Sequence, residues 1–187
     1  MISRIMSAGS NWPVLSVFCL FMAFAGMVAA PAAADVGPAA RTVPSAELVG
    51  KGRMTYLGFK VFDAELYAPN GVYSASGPFA LKLKYLRNFK GKTITESSVK
   101  EIKRQGGVSA AQLASWEKQM TAIFPNVAAG QAITGVRTAN GSTLFYLDGR
   151  KLGTISDPAF TKKFFSIWLG NKTRNPQLRA RLVGAGS

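Results

Sequence analysis

The chain has no histidine and a single cysteine, Cys19, among its 187 residues. Without an imidazole, the Ser-His-Asp and Cys-His arrangements of nucleophilic catalysis are excluded. The commonest ligand of transition metals is missing as well, so no metal site is expected. No glycine loop of the dinucleotide- or phosphate-binding kind stands between a strand and a helix, so no nucleotide cofactor is expected either. Acidic residues are scarce, nine against 23 basic ones, and the formal net charge is +14. Such a field favours anionic partners: acidic small molecules, an anionic membrane surface or nucleic acid. The basic residues are scattered along the chain instead of clustered.

Charge is also missing from the N-terminus, where Arg4 is the only charged residue before Asp35. The run from Val14 to Ala30 is apolar, and Pro31-Ala-Ala-Ala34 follows it. A basic start, an apolar middle and a small-residue exit describe a secretory signal peptide over 1–34, cleaved after Ala34. A retained membrane anchor is the other reading of a run this long. Cys19 lacks the small residues that precede a lipidated cysteine. Export makes the protein periplasmic or secreted and argues against nucleic acid as its partner. The mature chain from Asp35 carries 22 basic and nine acidic residues, a net charge of +13, and no cysteine. It has no disulfide and is held together by packing alone.

The residues that remain describe one domain. Residues 35–46, rich in Ala, Pro and Gly, read as a flexible lead-in, and the folded domain spans 47–184. Gly50–Tyr67 reads as a hairpin turning at Leu57-Gly58-Phe59. Phe79–Arg87 alternates as a half-buried strand with Phe79, Leu81, Leu83 and Tyr85 on its apolar face. Arg87 keeps the parity of that face. Thr93-Ile-Thr-Glu96 predicts a capped helix running to Arg104. Ser109-Ala-Ala-Gln112 predicts a second one, with Leu113, Trp116, Met120, Ile123 and Phe124 as its core stripe. Strands over 131–138, 142–147 and 150–155 are joined at Asn140-Gly141 and Asp148-Gly149, two dipeptides that favour type I′ turns. Asp157-Pro158 opens a helix to Leu169, and Asn175-Pro176 opens a last short one carrying Leu178 and Leu182. This order gives an α+β domain with helices on one face of an antiparallel sheet.

The polar groups available for chemistry are few: Arg53, Arg87, Lys84, Tyr67, Tyr85, Thr55 and the acid pair Asp63 and Glu65. They suit the holding of an oxyanion or carboxylate, or the polarising of a carbonyl. Two hairpin registers are open. One sets Arg53 opposite Ala64 on the apolar face, and the other sets it beside Asp63 on the polar face. An arginine on an inner face needs an anion or a polar partner.

The segments GKGRMTYLGFKVFDAELYAP, FALKLKYLRNFKGKTI, IFPNVAAGQ, YLDGRKLGTISDPAFTKKFFSIWLG and LRARLVG, taken in this order, resemble the bacterial chalcone isomerase-like proteins. The resemblance covers Glu47 to Gly184. It implies an open-faced β-sandwich whose ligand lies between sheet and helices. It also implies that Arg53 matches the family's strand arginine, which orients a ketone substrate or holds a fatty-acid carboxylate. The threonine and tyrosine that hydrogen-bond the ketone fall at Phe62 and near Ile94, neither of which has a hydroxyl. The reading is a non-catalytic, exported binder of a small hydrophobic acid, with no cofactor, and with Arg53, Thr55, Phe62, Leu66, Tyr85 and Arg87 around the ligand. The alternatives are an isomerase acting on a chalcone-like ketone, with Arg53 as its catalytic residue, and an interaction module whose basic surface meets anionic lipid or a protein.

Overall fold

Six strands laid side by side in sequence order form one antiparallel sheet. They are β1 (Ala46–Tyr56), β2 (Phe59–Pro69), β3 (Phe79–Tyr85), β4 (Ala132–Arg137), β5 (Thr143–Leu147) and β6 (Arg150–Ile155). Helices α1 (Gly91–Gln105) and α2 (Ala110–Ile123) are inserted between β3 and β4, while α3 (Pro158–Leu169) and α4 (Pro176–Leu182) follow β6. The computed structural model describes Gly37 and residues 41–184. The expected signal peptide over 1–34 and most of the lead-in lie outside the described residues. Within the lead-in, Val43 is buried and β1 starts at Ala46.

Strand alternation separates two faces. Phe62, Ala64, Leu66 and Ala68 of β2 join Phe79, Leu81, Leu83 and Tyr85 of β3 in the main core, against Ile102, Trp116, Met120, Phe160, Phe164 and Leu178 of the four helices. Tyr67, Ala80, Val136 and Tyr146 stand on the other face with Val43. Aromatic edges fill the helix side: Phe145 meets Phe124 at 5.0 Å and Phe164 at 5.2 Å between ring centroids. Phenylalanine thus fills the space between this part of the sheet and the helices. Edge-to-face pairs of this kind add about 0.5–1.5 kcal/mol each beyond their buried area.

Local chemistry explains the helix boundaries. Ser109 and Gln112 form the predicted capping box. Asp157 caps α3 by accepting from the N–H groups of Ala159 and Phe160 (2.8 and 3.2 Å), and its other oxygen takes the indole N–H of Trp116 at 2.8 Å. One carboxylate thereby starts α3 and ties it to α2. The cap predicted at Thr93 is absent: α1 begins at Gly91, whose N–H is held by the Asn126 side chain at 3.0 Å. The cap comes from 35 residues away, so no local signal announces it.

Both expected type I′ turns were tested by the backbone. Asp148 (φ 46°) and Gly149 (φ 82°) adopt one. At Asn140-Gly141 only the glycine has positive φ. The Thr138 N–H bonds to the Ser142 carbonyl across a three-residue connection, which the Thr138 hydroxyl closes by accepting from the Ser142 N–H at 3.0 Å.

Helix α4 sits directly on β1, and two glycines permit it. A Cβ on Gly50 would lie 2.0 Å from the Arg181 carbonyl oxygen, and one on Gly52 would lie 2.7 Å from Leu178 Cδ1. Side chains at either position would hold the helix off the sheet.

Candidate functional site

The residues that the sequence grouped around a ligand fall in three places. Tyr56 pairs with Phe59 across a two-residue Leu57-Gly58 turn, and the extra residue Val61 shifts the register between Met54 and Thr55. Of the two registers open to the sequence, the structure adopts the one that places Arg53 opposite Asp63. Arg53 therefore leaves the apolar face. Its Nε and Nη2 donate to the two carboxylate oxygens of Asp63 at 2.6 and 2.9 Å. The guanidinium so bonded holds the Asp63 carboxyl below its ordinary value. Partial burial opposes that shift, and Lys84 and Lys60 reinforce it.

Beside this pair, Glu65 accepts from the Tyr67 hydroxyl at 2.7 Å and lies 3.7 Å from Lys82 Nζ. The two acids of β2 thus belong to a ladder of ion pairs on the face away from the helices. Phe62, Leu66 and Tyr85 are buried on the helix face, with the Phe62 and Tyr85 rings 6.0 Å apart. Burial pushes the Tyr85 phenol well above its ordinary value, so it stays neutral. Thr55 and Arg87 are exposed. Arg87 does not reach the interior rim that its parity suggested; its guanidinium lies 4.9 Å over the ring of Phe59. Beyond Tyr85 the chain has left β3, and strand parity no longer governs direction.

At the opposite end of the sheet lies a cleft of about 380 Å³, within the range typical of small-molecule sites, roughly 300–1,000 Å³. It opens between the β2–β3 connection, the ends of β3 and β4, and helices α3 and α4. Its apolar lining is Phe79, Phe165 and Leu169, all buried. Its polar lining includes Tyr73, Arg137, Arg179 and Lys162. Tyr73 packs edge-on against Phe79 at 5.4 Å, and Phe79 against Phe165 at 4.7 Å.

The two arginines in this cleft have carbonyl partners and no carboxylate among the described residues. Arg137 Nη1 donates to the carbonyls of Gly77 (2.8 Å) and Thr138 (3.1 Å), and Arg179 Nε to that of Leu169 (2.9 Å). Both guanidinium groups act on the Tyr73 phenol. Burial raises its pKa, and Arg179 and Arg137 offset part of that rise. The phenol stays protonated at neutral pH, a hydrogen-bond donor beside two cations. Two guanidinium groups and one O–H above an apolar lining can hold a carboxylate and its hydrocarbon neighbour.

Sequence reasoning missed this cluster, although one signal was available. Arg137 pairs with Phe79 and shares the helix-facing parity of Ile133 and Gly135, so it is the inward strand arginine that Arg53 is not. Tyr73 and Arg179 come from a connection and a late helix, and carry no comparable signal. Among the described residues no cluster of metal-ligating side chains occurs, and no helix is long and apolar enough to cross a membrane.

A six-stranded antiparallel sheet, covered on one face by four helices and carrying an anion-suited cleft at one end, defines an α+β open-faced β-sandwich. Residues 39–184 match the chalcone isomerase-like family, and the chain belongs to that family. None of the curated proteins matches the chain. Among solved structures, a fatty-acid binding protein of Arabidopsis thaliana is similar in fold, with a TM-score of 0.58 at 12% identity. The match covers 77% of this chain and 90% of that one.

Proposed function

We propose that the protein is a non-catalytic, exported binder of a small hydrophobic acid of fatty-acid type, held in the cleft between Tyr73, α3 and α4. One observation carries this reading: Tyr73, Arg137 and Arg179 line one cleft with Phe79, Phe165 and Leu169, and both arginines donate to backbone carbonyls, with no carboxylate partner among the described residues. The family and the similarity to a fatty-acid binding protein support it. Each charge-assisted contact to a carboxylate contributes about 1.5–3 kcal/mol. Each buried CH₂ adds about 0.8 kcal/mol, so the tail dominates affinity and the arginines set its direction.

Arg53, the strand arginine implied by the resemblance, has its planar fork engaged by Asp63, and a ligand there would have to displace an ion pair. Ketone activation is disfavoured, because the resemblance implies that the enzymes' hydroxyl-bearing positions fall at Phe62 and near Ile94, neither of which has a hydroxyl. Titration of the delipidated protein with dodecanoate tests the reading. Arg137→Ala and Arg179→Ala are each expected to weaken binding at least about tenfold, with Arg53→Ala unchanged. Unaltered binding in both cleft variants, or loss in Arg53→Ala, overturns the assignment. Export is tested separately: the mature N-terminus should read Asp35, and the protein should leave the cytoplasm.

A further inference from the structure

The β1–β2 hairpin ends in Tyr56-Leu57-Gly58-Phe59, whose three large side chains are 64%, 78% and 60% exposed. They are three of the five exposed large hydrophobic residues among those described, gathered into four successive positions. The turn itself asks for something else. Leu57 holds φ 48° and Gly58 φ 79°, the type I′ geometry in which asparagine or glycine is preferred at the first position. A leucine there is strained yet stays 78% exposed, a pattern that directs attention to what its side chain does outside the molecule.

Cations lie beside this tip and along the strands behind it. Arg87 lies over the Phe59 ring, and Lys60 and Lys84 act electrostatically on Asp63, which is already paired with Arg53. Lys60 and Arg87 thus stand next to the tip, while Arg53 and Lys84 flank Asp63 four positions behind it. A projecting tyrosine–leucine–phenylalanine tip with these cations beside and behind it matches an anionic bilayer surface: the apolar tip enters the interface, and the cations meet lipid phosphates. We infer that the β1–β2 hairpin tip is a docking finger for anionic phospholipid membranes, at the end of the sheet opposite the Arg137–Arg179 cleft.

Leu57→Asn tests this with opposed readouts. It installs the preferred Asn-Gly turn, so Tm should rise by roughly 2–4 °C. Sedimentation of the mature protein with phosphatidylcholine vesicles containing phosphatidylglycerol should show binding. Pure phosphatidylcholine vesicles should show far less. Leu57→Asn should weaken the former at least about tenfold. In a Leu57→Trp variant, the added indole should shift its emission to the blue only with the anionic vesicles. Three results overturn the inference: no binding to either vesicle, equal binding by Leu57→Asn, or no emission shift despite binding. So does a concentration-dependent dimer that Leu57→Asn dissolves, which would make a second copy the occupant.

Discussion

Arg53 and Asp63 face one another across β1 and β2 with two hydrogen bonds of 2.6 and 2.9 Å, on the sheet face away from the helices. The pair has a pH signature. Asp63 has a folded pKa below its unfolded value, so its contribution to stability is complete above the unfolded pKa, near 4, and is lost as pH falls through the lower folded value. Asp63→Asn should lack this term. The Tm difference between wild type and variant should shrink as pH drops below about 4. A constant difference down to pH 2 would contradict the pairing.

Tyrosine provides the alkaline counterpart. Burial raises the pKa values of Tyr73 and Tyr85, so the native state retains protons that the unfolded chain releases above about pH 10. Stability from these neutral phenols is full below that pH and declines as pH rises beyond it. Tyr85→Phe should move the alkaline unfolding limb upward. Thermal scans between pH 8 and 12 measure this.

Within the cleft, Tyr73→Phe removes one neutral donor while leaving both guanidinium groups. Dodecanoate affinity should fall by roughly two- to tenfold, less than for either arginine. Calorimetric titration at neutral pH gives the comparison, and an effect larger than that of Arg137→Ala would place the anion elsewhere.

The seat of α4 is open to the same kind of test. An alanine Cβ at Gly50 would collide with the Arg181 and Leu182 carbonyl oxygens, at 2.0 and 2.7 Å. Backbone cannot swing aside as a side chain does, so Gly50→Ala should cost about 3 kcal/mol or more and lower Tm by roughly 6–12 °C. Because α4 carries Arg179, ligand affinity should fall along with stability.

Two buried threonines should respond in opposite directions. Thr95 Oγ1 is buried with no hydrogen-bond partner, so Thr95→Val removes an unmet polar group and should stabilise by about 1 kcal/mol. The Thr143 and Thr161 hydroxyls bond each other at 2.7 Å, so Thr143→Val strands its partner and should destabilise by about 1–3 kcal/mol. Chemical denaturation of both variants decides the matter.

Much of the architecture was legible because it is written in short-range patterns. The alternation of Phe79–Tyr85, the Asp148-Gly149 turn, the Ser109–Gln112 box and the Asp157-Pro158 start each involve residues within a few positions of one another. Their physics is local, and β6 and α3 have the boundaries expected of them. The α1 start was not legible, because its cap is Asn126, 35 residues away.

The site was harder to read for the same reason. The direction of Arg53 depends on a single extra residue, Val61, and the alternation pattern of β1 and β2 tolerates either register. Sequence alone determined the fold class, the shortage of acids and the absence of imidazole chemistry, because composition and periodicity need no long-range contact. Only the folded chain could bring Tyr73, Arg137 and Arg179 together. They come from a connection, a strand end and a late helix: Phe79 brings Tyr73 and Arg137 together across β3 and β4, and the seating of α4 on Gly50 and Gly52 adds Arg179.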